Sequence, residues 1–181
     1  MTQSLSPEDW IAAGFRALAA DGPQAIKAEK LARALGTTKG SFYWHFKDVP
    51  AFHAAMLAMW EKLAVGGVIE DTSRAPEPED QLRALIARAG APAPEHYGGV
   101  SVEPAIRAWA LQNESVAEAV AQVDAARMKH LRELLSACGL SEHHAVLIYG
   151  AYVGLEHLQS RGVPDTAGAL ADLIEVLLTA T

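Results

Sequence analysis

Residues 31–48 read LARALGTTKGSFYWHFKD. The stretch predicts two short helices, about Lys27 to Leu35 and about Thr38 to His45. Gly36 stands where a helix end accepts a left-handed residue, and Gly36-Thr37-Thr38 fits a tight turn between helices that cross steeply. Phe42 and Phe46 are expected to point inward and seat the second helix on its neighbours. Thr38, Lys39, Ser41, Tyr43, Trp44 and His45 are then left outward. These side chains donate hydrogen bonds or stack, as a helix in a major groove must do to hold phosphates and read base edges. Gly40, with no side chain, would let the backbone approach DNA closely.

The charge supports this only when it is resolved along the chain. The 181 residues carry 15 Lys+Arg against 22 Asp+Glu, a net −7, which by itself argues against a polyanionic partner. Residues 24–47 run the other way. Lys27, Lys30, Arg33, Lys39 and Lys47 face Glu29 alone, giving +4, so the rest of the chain carries −11. A basic island in an acidic chain favours attraction at one place over loose coating of bulk DNA.

Outside the island the chain also reads as helical. Alanine occurs 35 times and no strand-like alternation is present. The nine prolines sit where helices start or loops run. Ser6, followed by Pro7, Glu8 and Asp9, caps a first helix that carries Trp10, Ile11, Phe15 and Leu18 on one stripe. A fourth helix begins at Asp48 and is expected to close at Gly66-Gly67, with residues 66–78 as a connector. Further helices are predicted at about 79–89, 102–112, 115–137, from Ser141 to about Ser160, and from Asp165 or Thr166 onward. Residues 90–101 read as a Gly/Pro-rich loop, a possible mobile lid. The expected fold is all-α with about nine helices. Residues 1–47 form a helix-turn-helix domain, 48–65 a linking helix, and 66–181 a regulatory and dimerisation domain.

The stretch quoted above resembles the DNA-binding signature of the TetR (tetracycline-repressor) family of bacterial transcription regulators. The order LAxxLG, a small turn, KGSFYWHF and then KD carries the resemblance, which extends over about residues 7–65. It implies a sequence-specific DNA-binding regulator, a repressor released from its operator by a small molecule. Carried over by position, Thr38, Lys39 and Ser41 fall where bases and phosphates are touched. Tyr43 and His45 fall on backbone contacts, Trp44 at their edge, and Lys47 on a phosphate. Thr37 and Gly40 complete the set. Two positions depart from the pattern. Lys27 replaces the usual Ser or Thr cap of the second helix and could itself reach a phosphate. Val49 stands where a second basic residue is common.

The resemblance also implies a homodimer, because a single such unit makes few contacts and two half-sites about one helical turn apart compensate. The last two helices are apolar enough to supply the interface, through Ile148, Gly150, Ala151, Tyr152, Gly154, Leu155, Leu158, Leu170, Ile174 and Leu177. Aromatic or apolar side chains with a few polar partners could line an effector site: Trp60, Ile86, Tyr97, Ile106, Arg107, Trp109, Gln112 and Val120. Ordinary core packing is the stronger reading of most of them, because aromatics at helical spacing are usually core.

No cofactor, metal or catalytic residue is expected. Adjacent His143 and His144 diverge on a helix, and no phosphate loop, dinucleotide fingerprint or nucleophile–base motif occurs. A same-fold regulator without an effector is the nearest alternative, and a helical enzyme or metal-binding bundle a more distant one. The single Cys138 cannot form an internal disulfide, and Met1 to Asp9 shows no basic or apolar leader. Cytoplasmic localisation, with no membrane partner, is therefore expected.

Overall fold

The computed structural model describes residues 5–179. Among them all regular structure is helical and no strand occurs. Nine helices follow in order: α1 (Pro7–Asp21), α2 (Ala28–Ala34), α3 (Lys39–His45), α4 (Val49–Thr72), α5 (Pro78–Gly90), α6 (Val102–Ala110), α7 (Glu114–Ala137), α8 (His144–Ser160) and α9 (Thr166–Thr179).

The chain divides into two compact units. The first comprises the residues up to Trp60 together with Ala93–Glu118; the second comprises Glu61–Pro92 and the residues from Ala119 onward. Residues 93–118, assigned by sequence to the regulatory region, thus group with the N-terminal helices.

In the first unit α1 starts on a capping box. Asp9 N donates to Ser6 Oγ at 3.3 Å, and Ser6 N donates back to Asp9 Oδ2 at 2.7 Å. The Ser6 N and Ser6 Oγ bonds to Asp9 Oδ2 hold the Asp9 carboxyl below its usual pKa. The core is aromatic. Trp10 meets Phe42 edge-on at 5.4 Å, and Phe52 packs against both Phe42 (5.2 Å) and Phe46 (4.8 Å). Gly14 lets α1 and α4 approach closely: a Cβ there would fall 2.7 Å from Met56 Sδ and 2.8 Å from Phe52 Cζ.

The second unit buries Leu82 and Ile86 of α5, Leu131, Leu134 and Leu135 of α7, Ile148 and Tyr152 of α8, and Leu170 and Ile174 of α9. Cys138, just past α7, is half-buried against this core. Burial raises its thiol pKa, with Glu79 adding to the effect.

Three sequence expectations are corrected. Helix α4 does not close at Gly66-Gly67. It widens into a π-turn over Lys62–Gly66 and continues as α-helix over Gly67–Thr72. Gly66 and Gly67 both hold right-handed helical angles, so glycine weakens the helix here without ending it. The Ala64 carbonyl accepts from Arg127 Nε at 3.2 Å, and the Thr72 hydroxyl bonds back to Val68 O at 3.0 Å. The Arg127 bond ties the widened turn down from outside. This continuous helix reaches a mean hydropathy of 1.2 over an 18-residue window, although the sequence alone shows no long apolar run. Glu61 and Lys62 interrupt the window, and Phe52, Met56 and Trp60 are buried in the first unit.

Ser141 does not cap α8, which begins at His144; its Oγ accepts from His143 N (3.3 Å) in the preceding turn instead. Nor is the segment around 90–101 a free lid. It forms two 3₁₀ turns and packs on α1 within the first unit. Arg16 donates to His96 O at 2.8 Å, and Tyr97 meets Phe15 edge-on at 6.0 Å. Gly98, at φ 97°, lies so close to Ala19 and Phe15 O that a Cβ would come within 3.1 Å of each.

Candidate nucleic-acid interface

The α2–turn–α3 segment follows its sequence closely. Helix α2 starts after Lys27, whose extended backbone puts it at the N-cap without any side-chain cap bond. The departure noted at Lys27 is therefore a missing cap in fact. Gly36 takes φ 65°, the left-handed value that ends α2. Thr38 then caps α3, its Oγ1 accepting from Ser41 N at 3.3 Å.

The inward side of α3 is fully used. Phe42 is completely buried and Phe46 nearly so. The outward side is open: Trp44 is 88% exposed and Tyr43 47%, although the Tyr43 ring also leans edge-on against Phe42 at 5.2 Å. Lys27, Thr38, Lys39, Gly40 and Lys47 are exposed, while Thr37, Ser41 and His45 are half-buried. A Cβ on Gly40 would meet only Thr38 Oγ1, at 3.6 Å, so the space above it is free for another molecule. All ten residues singled out for DNA contact thus lie at or near the surface of one helix-turn-helix.

Sequence reasoning missed Glu29. Its Oε1 lies 3.4 Å from Lys39 Nζ, linking α2 to α3. The available signal was its isolation as the one acid among five bases.

Behind this surface, His53 of α4 packs edge-on against Trp109 of α6 at 4.8 Å and is close enough to the Ile26 backbone for it to favour the charged ring. Burial lowers its pKa. One imidazole thereby touches α6 and the chain leading into α2.

The residues proposed for an effector site are distributed differently from that expectation. In the first unit, Trp60 Nε1 donates to buried Glu103 at 2.8 Å, and Arg107 pairs with the same carboxylate at 3.0 Å. Ile106 and Trp109 are buried, Tyr97 packs on Phe15, and Gln112 is exposed beyond the end of α6. Ile86 lies in the core of the second unit, where Val120 is half-buried on α7.

The interface set also needs correction. Ile148, Tyr152, Leu170 and Ile174 are buried within the second unit, because one face of α8 and α9 packs against α5 and α7. Gly150, Gly154 and Leu158 are exposed, and Ala151, Leu155 and Leu177 are half-buried. Besides Leu158, the open apolar side chains of α8 and α9 are Val146 (62%), Leu147 (63%) and Val176 (63%), which are not in the interface set given above.

Residues 11–48 match the family model described as bacterial regulatory proteins, tetR family. No curated relative matches the sequence. Among solved structures, a TetR transcriptional regulator from Legionella pneumophila is similar at a TM-score of 0.78 and 14% identity, covering 97% of this chain and 98% of its own. A protein from Saccharomonospora viridis, described as a transcriptional regulator in complex with choline, is similar at 0.80 and 13%, covering 98% and 97%. The fatty acid degradation regulator FadR from Bacillus halodurans is similar at 0.72 and 15%, again over 98% and 97%. At these identities the likeness is one of fold.

Proposed function

We propose that this chain, whose residues 11–48 match the tetR family model and whose fold is similar to that of a solved TetR regulator, is a homodimeric, sequence-specific repressor that leaves its operator when a small molecule binds. The observation that carries the reading is the division of α3. Its aromatic inner side is locked into the core, and its polar outer side presents Lys39, Tyr43 and Trp44 to solvent. A helix so fixed can enter a major groove without repacking. Lys27 and Lys47 hold phosphates, and Lys39 with the other outward side chains of α3 meets base edges.

A second copy supplies the second half-site. The exposed apolar residues of α8 and α9, with Gly150 and Gly154 allowing close backbone approach, are the surface proposed for that contact. The effector part of the proposal draws on the choline complex of the Saccharomonospora viridis protein. Choline and other small quaternary ammonium compounds are the first to screen.

The test is selection of genomic fragments by the purified protein, followed by affinity measurements on the enriched site. Exchanging Lys39 and Tyr43 together for Ala is expected to abolish binding while helicity and mass stay unchanged. Wild-type protein that enriches no fragment, or a double variant that binds as well as wild type, overturns the proposal. Release of bound DNA by one compound of the screen supports the effector; no release by any compound favours the same regulator without one.

A further inference from the structure

Glu29 is out of place for plain electrostatic attraction. It is the one acid in the +4 segment, its side chain is 73% exposed, and it stands beside residues that would approach a polyanion. An exposed carboxylate there repels phosphates. Its partner Lys39 is itself 52% exposed, so the ion pair adds little to stability. The pair does something else well. It holds a donor, Lys39 Nζ, and an acceptor, the Glu29 carboxylate, 3.4 Å apart across the α2–α3 turn.

That spacing matches a feature of the major groove. In each base pair a keto oxygen and an amino group lie side by side as hydrogen-bonded neighbours. An ammonium and a carboxylate about one hydrogen-bond length apart complement them: Lys39 donates to the keto oxygen, and Glu29 accepts from the amino group. The two types of base pair are not equivalent to this couple. Guanine O6 is flanked by N7, a second acceptor for the remaining ammonium hydrogens, whereas thymine O4 is flanked by a methyl group.

We propose that Glu29 and Lys39 together read one guanine–cytosine pair in each half-site, with guanine under Lys39 and the cytosine N4 amino group under Glu29. The proposal rests on the reading of α3 as a major-groove helix. It adds Glu29 as a specificity-determining residue and names the base pair it selects.

The experiment measures affinity for the enriched operator with all four bases at each position, for wild type, Glu29→Ala and Glu29→Gln. Circular dichroism checks that each variant is folded. Wild type is expected to prefer G·C strongly at one position per half-site. In Glu29→Ala that preference falls about tenfold at that position alone. Affinity for unrelated duplex rises at the same time, because a negative charge has gone. Glu29→Gln keeps an acceptor oxygen and is expected to retain part of the preference.

If Glu29→Ala tightens binding to every sequence by one common factor, the carboxylate is only a repulsive charge and the proposal falls. An unchanged base profile has the same consequence. Wild type that selects no DNA defeats the functional reading itself, before any variant is made.

Discussion

Two glycines in the first unit make opposite demands on a methyl group. At Gly14 the added Cβ would lie within 3 Å of the buried Met56 thioether and the Phe52 ring. Overpacking of that kind costs about 1–3 kcal/mol, more than the roughly 1 kcal/mol alanine gains over glycine in a helix. Gly14→Ala is expected to lower the melting temperature by several degrees. At Gly40 the same change meets open space, so Gly40→Ala should melt no lower than wild type. Its methyl group would nevertheless stand on the face proposed to meet DNA, and operator affinity is expected to drop. Thermal melts and binding isotherms on the two variants separate folding from recognition. A Gly40→Ala protein with unchanged affinity would remove Gly40 from the interface. The outward residues of α3 were legible from the sequence because α3 is short, and Phe42 within it and Phe46 just past its end fix which way it faces. The burial of Ile148, Tyr152, Leu170 and Ile174 was not legible. An apolar residue on an apolar helix looks the same whether it packs on its own chain or on a second one.

Helix ends make a further set of tests. Lys27 holds N-cap geometry without capping, so Lys27→Ser should add a bond to the first turn of α2 and stabilise the protein by about 0.5–1 kcal/mol. If Lys27 also touches a phosphate, the same variant will bind DNA more weakly and with a shallower salt dependence. Chemical denaturation together with a salt titration reads both effects. The ends of α4 and α8 show why some boundaries escaped the sequence. Gly66-Gly67 carries an ordinary stop signal, yet Arg127, far along the chain, anchors the turn through the Ala64 carbonyl. Ser141 carries an ordinary cap signal, but its hydroxyl is used in the turn before the helix. The contacts of α4 and α6 also set a pH dependence. Burial lowers the pKa of His53 below the usual 6.5, and that of His130 on α7 likewise. Their unfolded forms therefore take up protons first as the solution is acidified. Stability should be greatest above about pH 6.5 and fall as the pH drops from there through the lowered folded values. Glutamine at both positions should flatten the melting temperature across that window. An equally steep profile in the double variant would assign the effect elsewhere.

At the scale of the whole molecule the prediction concerns assembly. Light scattering should report about twice 19.3 kDa. Leu147→Glu, on the open side of α8, should bring the mass back to one chain with helicity kept. A substitution at the buried Ile148 should instead unfold the second unit and would say nothing of partners. Wild type that is monomeric at micromolar concentration would remove the dimer and, with it, the paired half-sites. Charge behaves as a property of the whole chain in the same way. The net −7 conceals the +4 segment on which DNA affinity is expected to depend steeply on salt. The chain also carries its own reporter. Cys138 is a single thiol, half-buried where α7 meets the core of the second unit, and its burial disfavours the reactive thiolate. Labelling it with a maleimide or a disulfide reagent is therefore a one-site clock. Because the thiol is partly exposed, its rate reports the surroundings of that position, and a compound that changes the rate has bound or altered the fold near it, whether or not any DNA is in the tube.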